Sequence, residues 1–280
     1  MIIWIASYPK SGNTWLRSLL STYYFTKDGK FNFQILNNIK SFPSSSYFEK
    51  YSDNFSEPES TAKYWISEQR SINLDKRIKF LKTHNALCKI DGYSFTDENN
   101  SIGAIHIVRD PRNVLTSLSN HYQIKKLDAL EFMLQEQKAI VEKKDNRYLG
   151  FNPLFSWSMH EKSWSECKKF PVLTIRYEDL QLETFVTLKK VISFISKLTN
   201  KKNSFQREKA KKTISSCEFN KLKKMENELG FNEAISSKLT GEKIKFFNLG
   251  KDNNYKKLLE KDLIEKMNFL FKEQIKKYEY

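Results

Sequence analysis

Four short, largely apolar runs constrain the fold of this chain more than any other feature of its sequence. They lie at residues 2–6, 78–81, 102–108 and 172–175, and none keeps the strict polar alternation of a half-exposed strand. Runs of this kind are typical of strands that are buried on both faces of a parallel sheet. Such a sheet requires a layer of helices on each side.

Helical spacing of apolar residues fills the intervals between and after these runs. In residues 14–24 the apolar side chains on one face are Leu16, Leu19, Leu20 and Tyr23. The same periodicity recurs at residues 112–123, 127–142, 156–168, 185–198 and 259–277. Alternating strands and helices imply right-handed crossovers. Because the 280 residues contain no repeat and no linker, the sequence predicts a single α/β domain, residues 1–280, with a central parallel sheet flanked by helices.

Two segments depart from this regular pattern. Residues 27–75 are polar and aromatic and contain Pro43 and Pro58, which predicts loops and small helices over a pocket. Residues 201–212 form a charged segment that we expect to be mobile.

Cysteine usage and hydropathy indicate in which cellular compartment the protein is located. Cys88, Cys167 and Cys217 are scattered, which argues against a disulfide framework or a zinc site. No apolar run reaches the roughly 18 residues that a membrane-spanning helix needs. The first apolar run begins at residue 2 without a basic leader, so we expect no secretory signal and a cytoplasmic location.

The net charge of +15 has two competing explanations. A basic surface binds nucleic acid or membrane, or it steers a polyanionic ligand into a cleft. However, only eight of the 48 basic residues are Arg, and Asn and Ile are also plentiful, which indicates a general compositional bias. Both explanations stay open at this point, although the sequence has no helix-turn-helix, zinc-finger or RRM signature.

The first apolar run leads into the motif S-Y-P-K-S-G-N-T-W at residues 7–15, which opens a helix. A helix start exposes unpaired N–H groups that suit a phosphate. Gly12 permits close approach of the backbone, Lys10 adds a full charge, and Thr14 adds a hydroxyl donor. The kinase-type pattern G-x-x-x-x-G-K-[ST] is absent because Lys precedes Gly. The motif predicts a P-loop-like phosphate-binding loop, although a simple helix entry is the alternative.

A second motif, R-D-P-R-N-V at residues 109–114, follows the run at 102–108. Pro111 suits the first turn of a helix. Arg109 leaves its strand at the carboxyl end, where ligands bind in open α/β sheets. A guanidinium there can bind a phosphate with two hydrogen bonds, although an Arg109–Asp110 surface pair is the alternative.

A third motif, K-T-H at residues 82–84, ends another predicted strand. A lone histidine is more often structural than catalytic. An imidazole at a strand end can nevertheless accept a proton near neutral pH, which makes His84 a candidate general base.

These three motifs together resemble those of the sulfotransferases that use 3′-phosphoadenosine 5′-phosphosulfate (PAPS). The first is similar to the family pattern Y-P-K-[ST]-G-T-T-W, the second to R-[ND]-P-[RK]-[DN]-x-x-x-S, and the third to K-x-H. The resemblance implies that His84 is the general base and that Lys10 and Lys82 stabilise developing charge. It implies a donor site formed by Lys10, Ser11, Gly12, Asn13, Thr14, Trp15, Arg109, Ser117, Tyr177, Cys217, Gly250 and Lys251.

Several positions depart from the family pattern. Asn13 and Cys217 stand where the family has Thr, and Asn248 and Leu249 stand where it has Arg and Lys. Lys251 is a candidate for supplying the missing charge. A helix with the pattern W-x-x-H-x-x-S-W makes His160 a second-rank candidate near the acceptor.

The sequence therefore predicts sulfuryl transfer from PAPS, with adenosine 3′,5′-bisphosphate (PAP) as product and without a metal. The expected partner is a small-molecule or carbohydrate acceptor rather than nucleic acid. Residues 27–75, 85–100 and 232–244 are expected to select that acceptor. The alternatives are a P-loop-type nucleotide kinase, a basic nucleic-acid-binding protein and a non-catalytic relative of the sulfotransferases.

Overall fold

A computed structural model describes residues 1–200, 205–236 and 241–280, except for the side chain of Lys251. The strands in these ranges are β1 (Ile2–Ser7), β2 (Lys40–Ser41), β3 (Lys79–Thr83), β4 (Lys89–Ile90), β5 (Tyr93–Ser94), β6 (Ser101–Val108), β7 (Ala139–Lys144), β8 (Arg147–Pro153) and β9 (Val172–Arg176). Five of them form the central sheet in the order β2-β3-β1-β6-β9. Every pairing in this sheet is parallel.

The α-helices of the described ranges lie between and after these strands. They are α1 (Asn13–Phe25), α2 (Trp65–Asn73), α3 (Pro111–Tyr122), α4 (Lys126–Leu134), α5 (Trp157–Ser165), α6 (Tyr177–Leu182), α7 (Thr184–Leu198), α8 (Arg207–Ser216), α9 (Phe219–Leu229), α10 (Tyr255–Leu258), α11 (Lys261–Leu270) and α12 (Lys272–Tyr278). Short 3-10 helices occur at Phe33–Asn38, Ser45–Tyr47, Pro58–Tyr64 and Gly250–Asp252. None of these helices is both long and apolar enough to cross a membrane.

Strand β1 is buried on both faces, as its sequence predicts. Ile3 and Ile5 belong to one apolar cluster, which also contains Leu16 and Leu19 of α1. Trp4, the residue between them, belongs to a second cluster on the other face. A core on each side of the sheet leaves the strand ends as the place for polar chemistry. The predicted α/β class with a central parallel sheet is confirmed.

The prediction of one helix over residues 127–142 is wrong. Helix α4 ends at Leu134, and residues from Ala139 onward form a hairpin of β7 and β8. At the hairpin tip Asp145 and Asn146 have positive φ angles of 49° and 61°. Asp and Asn tolerate this conformation, which matches the twist of two-residue hairpin turns.

The prediction of one helix over residues 259–277 is also wrong. The chain leaves helical geometry at Phe271, with φ −112° and ψ 22°, so that α11 and α12 are separate helices. The predicted mobile segment at residues 201–212 lies partly outside the described residues. Its last six residues belong to α8.

Candidate active site

Three strand ends meet at one edge of the sheet, where β1 lies between β3 and β6. Lys10 follows β1, His84 follows β3, and Arg109 follows β6. The chain leaves β1 toward β3 but leaves β6 toward β9, so a switch point lies between β1 and β6. Lys10, His84 and Arg109 all line one cavity of about 490 Å³. The fold thus brings the three sequence motifs together.

The loop after β1 turns sharply into α1. Gly12 has a φ of +99°, and a Cβ at this position would lie 2.4 Å from Cδ2 of Tyr177. No side chain caps the start of α1, so its first amide groups keep no capping partner. Together with Lys10, these amides make the loop suitable for binding an anion.

The side chain of Asn13 is hydrogen-bonded to strand β1. Its Nδ2 donates hydrogen bonds to the carbonyl oxygen of Ile5 (3.0 Å) and to Oγ of Ser7 (3.1 Å). Both amide hydrogens are used in this way, and the remaining Oδ1 can only accept. The expected phosphate contact from this side chain would need a different conformation, whereas the backbone N–H stays at the helix start.

Lys10 and Arg109 each lie on the face of an aromatic ring. The Lys10 ammonium is 4.1 Å from the ring centre of Phe246, and the Arg109 guanidinium is 4.1 Å from that of Tyr177. Neither cation has a carboxylate partner among the described residues. Burial, and then the charge of Arg109, lower the pKa of Lys10 to about 7. An anion bound beside them would offset both effects.

His84 is held in one tautomer. Its Nδ1 lies 2.7 Å from the carbonyl oxygen of Ser7, which can only accept, so Nδ1 carries the proton and Nε2 is the basic nitrogen. Burial, and then the charge of Lys82, lower the pKa of His84 to about 3. The ring is therefore neutral at neutral pH, with Nε2 unprotonated.

Lys82 is paired with a carboxylate that comes from a distant part of the chain. Its Nζ lies 3.4 Å from Oε2 of Glu233, and the same oxygen accepts a hydrogen bond from Thr14 at 2.9 Å. The other oxygen, Oε1, lies 2.6 Å from Nη2 of Arg17. Burial alone would raise the pKa of Glu233, but Lys82 and Arg17 hold the pKa well below its usual range.

A family model described as the sulfotransferase domain matches residues 2–279. The chain belongs to the sulfotransferase family. This match confirms the family that the three motifs indicate, and it covers nearly the whole chain. No protein of curated function has a matching sequence.

Solved structures of other proteins share the fold of this sulfotransferase. Retinol dehydratase with retinol and PAP aligns with a TM-score of 0.62 at 16% identity, over 98% of this chain and 81% of that one. Retinol dehydratase with androsterone and inactive cofactor PAP gives 0.60 at 16% identity, over 98% and 80%. Mouse sulfotransferase SULT7A1 complexed with PAP gives 0.52 at 20% identity, over 97% and 82%. At these identities the likeness shows the fold alone.

Most of the residues that are expected to bind the sulfuryl donor or to take part in catalysis line the same cavity. The lining includes the following expected positions: Lys10, Gly12, Asn13, Thr14, Trp15, Lys82, His84, Arg109, Ser117, Tyr177 and Gly250. Ser117 comes from α3, one turn before His121. Gly250 approaches the ring of Phe219 so closely that a Cβ would lie 2.6 Å from Cε1. The side chain of Lys251 lies outside the described residues.

Two residues that are expected to bind the sulfuryl donor, Ser11 and Cys217, lie outside the described lining of the cavity. Ser11 is buried in the loop. Cys217 is fully buried, and its sulfur lies 3.5 Å from Oγ1 of Thr22 within the core. The backbone of Cys217 still acts on the site, because its carbonyl oxygen accepts a hydrogen bond from Nε1 of Trp15 at 3.0 Å. The expected thiol contact with the nucleotide therefore has no support in this arrangement.

His160 lies behind His84 rather than in the described lining of the cavity. Its Nε2 donates to the carbonyl oxygen of His84 over 3.1 Å, and the side chain is fully buried. His160 thus supports the backbone that presents the candidate base.

Glu233 and His121 line the cavity but were not predicted from the sequence. The ring of His121 lies 6.0 Å from that of Phe246, and burial, followed by the charge of Lys10, lowers its pKa to about 3. The spacing of four residues from Ser117 could have revealed His121, since residues four apart share a helix face. No comparable signal exists for Glu233, which lies between α9 and the next helix.

Proposed function

We propose that this sulfotransferase transfers the sulfuryl group of PAPS to a hydroxyl or amine of a small-molecule or carbohydrate acceptor. The observation that carries the proposal is the pair of cations Lys10 and Arg109, which lack carboxylate partners among the described residues and share a cavity with His84. Two such cations on adjacent strand ends favour a ligand with two anionic groups. The 5′-phosphosulfate and the 3′-phosphate of PAPS meet this requirement.

The aromatic residues beside the two cations suit the adenine of the donor. The rings of Trp15 and Tyr177 are 5.9 Å apart, and both residues line the cavity. Ser117 lines the same cavity and can donate a hydroxyl hydrogen bond to the 3′-phosphate beside Arg109. The donor site then extends from the loop after β1 to the start of α3.

In the proposed reaction, Nε2 of His84 takes the proton of the acceptor. The acceptor oxygen or nitrogen forms a bond to sulfur while the bond from sulfur to the bridging oxygen breaks, and PAP leaves with that electron pair. Lys10 and Lys82 offset the charge that develops on the sulfuryl group and the leaving oxygen. Burial, and then the charge of Lys82, cause the low pKa of His84, and a bound polyanionic donor would raise it.

A thermal-shift experiment tests the donor assignment. PAP without Mg²⁺ should stabilise the protein by about 2.7 kcal/mol at one hundred times its dissociation constant. Stabilisation by Mg-ATP alone would instead support a nucleotide kinase. Tight duplex DNA binding with a steep salt dependence and no response to PAP would support a nucleic-acid-binding protein.

An acceptor screen with labelled PAPS tests for turnover. It should cover sugars, phenols, alcohols and amines. Retinol and androsterone belong in the screen because retinol dehydratase is crystallised with each of them. Labelled product from any acceptor supports the proposal, whereas PAP binding without turnover across the screen would favour a non-catalytic relative.

A further inference from the structure

Glu233 binds Thr14 and Lys82, two residues that the proposed function assigns to donor binding. Its Oε2 is within 2.9 Å of the Thr14 hydroxyl and 3.4 Å of the Lys82 ammonium. Thr14 is expected to bind the 5′-phosphate, and Lys82 is expected to act on the sulfuryl group. A phosphosulfate that reached these two groups would bring its own negative charge next to the carboxylate, and like charges at such distances repel strongly.

Arg17, which lies beside Glu233, offers a second binding position for this carboxylate. Arg17 is buried, with 5% of its surface exposed, and its Nη2 lies 2.6 Å from Oε1 of Glu233. Its Nε is buried and has no hydrogen-bond partner. Nε and Nη2 lie on the same edge of a guanidinium and can bind both oxygens of one carboxylate.

The same two-point contact occurs elsewhere in this chain. Arg112 donates from Nε to Oδ1 of Asp110 at 2.9 Å and from Nη2 to Oδ2 at 2.7 Å. This pair shows the geometry that Arg17 lacks while Oε2 of Glu233 is bound to Thr14 and Lys82. Nε of Arg17 therefore offers an unused N–H donor to Oε2 of Glu233, the oxygen that Thr14 and Lys82 now share.

We propose that Glu233 is a positioning residue that serves as a replaceable counter-ion: it holds Thr14 and Lys82 until the donor arrives, and then turns its second oxygen to Nε of Arg17. This inference rests on the proposed donor site. It makes Glu233 an internal competitor of the donor, so that part of the donor's binding free energy is used to displace the carboxylate. A carboxylate that merely supported the site would have the opposite effect when removed.

The first experiment measures PAP binding by calorimetry in Glu233→Gln. The amide keeps the shape of the side chain but removes its charge, so PAP should bind roughly fivefold tighter or more, the lower end of usual coupling between two sites. Glu218→Gln is the matched control, because Glu218 also lines the cavity but pairs with Lys221 (3.6 Å) instead of Thr14 or Lys82. Weaker binding in E233Q, or equal tightening in E218Q, would overturn the proposal.

Arg17→Lys supplies a second test. Lysine keeps a positive charge but cannot hold two carboxylate oxygens with one planar fork. PAP binding should weaken in R17K when Glu233 is present and should not weaken when the same change is made in E233Q. Equal weakening in both backgrounds would show that Arg17 acts on the site without moving the carboxylate.

A crystal structure of the unmodified protein with PAP avoids any problem of variant folding. The expected result is Glu233 bound to Nε and Nη2 of Arg17 with Thr14 on the 5′-phosphate. A carboxylate still bonded to Thr14 in the complex would refute the inference. If the unmodified protein does not bind PAP at all, the proposed function fails; if it binds PAP and E233Q binds no tighter, only this inference fails.

Discussion

Lys10, Arg109 and Lys82 differ in the protein groups that lie beside their charges. Lys10 and Arg109 lie on the faces of aromatic rings, while Lys82 lies 3.4 Å from a carboxylate oxygen of Glu233. A ring face attracts a cation without using its N–H donors. Nη1 of Arg109 donates to the carbonyl oxygen of Lys10 at 3.1 Å, and its other donors and the Lys10 ammonium can bind an anion, whereas Lys82 has to exchange one anion for another.

Replacing His84 separates proton transfer from donor binding. His84→Ala removes the only group proposed to accept the acceptor's proton, so turnover at saturating PAPS should fall by on the order of 10² or more. PAP affinity should change little, because neither proposed phosphate contact involves the imidazole. Single-turnover rates with labelled PAPS measure the first quantity and calorimetry the second. An alanine variant with retained turnover would remove His84 from the role of general base.

Lys10 should make PAP binding depend on pH. Its pKa is lowered to about 7 in the free protein, and a bound anion should raise it. Below pH 7 the ammonium is already charged, so Lys10 adds no pH dependence there; above pH 7 binding must also take up a proton. Affinity should therefore fall as pH rises from 7 to 9, by up to about tenfold per unit.

Lys10→Arg is the matched control for this dependence. An arginine stays charged throughout this pH range, so its PAP affinity should be nearly constant between pH 7 and 9. Calorimetry in two buffers of different ionisation enthalpy measures the proton uptake directly. An unmodified protein that takes up no proton at pH 8 would contradict the assignment.

At the scale of elements, the strands were predicted better than the irregular segments. The run at residues 102–108 corresponds to β6 within one residue, because a largely apolar stretch of this length has few places to lie except inside a sheet. The hairpin at β7 and β8 was missed because Ile140 and Val141 continue the helical spacing of α4. Glu233 could not be predicted, since its approach to Thr14 depends on tertiary structure across 219 residues.

The turn between β1 and α1 depends on glycine for two reasons. In Gly12→Ala the residue would keep a φ of +99° and place its Cβ 2.4 Å from the Tyr177 ring, so the loop or the ring must shift. The strained backbone alone costs about 1–3 kcal/mol. We expect a lower unfolding temperature from the strain. Because the shift also moves the loop that holds Lys10 and the helix-start amides, PAP binding should weaken by roughly tenfold, which corresponds to about 1.4 kcal/mol.

Gly92→Ala distinguishes backbone strain from loss of the site. Gly92 also has a positive φ of +84°, but a Cβ there would meet nothing within 4 Å. Its alanine variant should lose stability while PAP affinity stays unchanged. Normal PAP affinity in G12A would show that the close contact with Tyr177 is not needed for donor binding.

At the scale of the whole molecule, the site lies at one edge of a sheet that is covered on both faces. The apolar clusters on the two faces fix β1, while the candidate catalytic and donor groups extend from the ends of β1, β3 and β6. The positive charge of the cavity is thus set by a few buried side chains. The net charge of +15 is a property of the full surface, and it acts on a polyanion over longer distances.

Salt dependence tests whether this surface charge assists the donor. If the field of the protein steers PAP, the association rate should fall several-fold between 20 and 200 mM NaCl, as the Debye length shortens from roughly 20 Å to below 10 Å. The dissociation rate should change less, because short-range contacts set it. Stopped-flow measurements give both rates, and uncharged adenosine is the control. Constant association rates with normal PAP affinity would show that the lysine excess is compositional, whereas displacement of PAP by duplex DNA at 150 mM salt would favour a nucleic-acid partner.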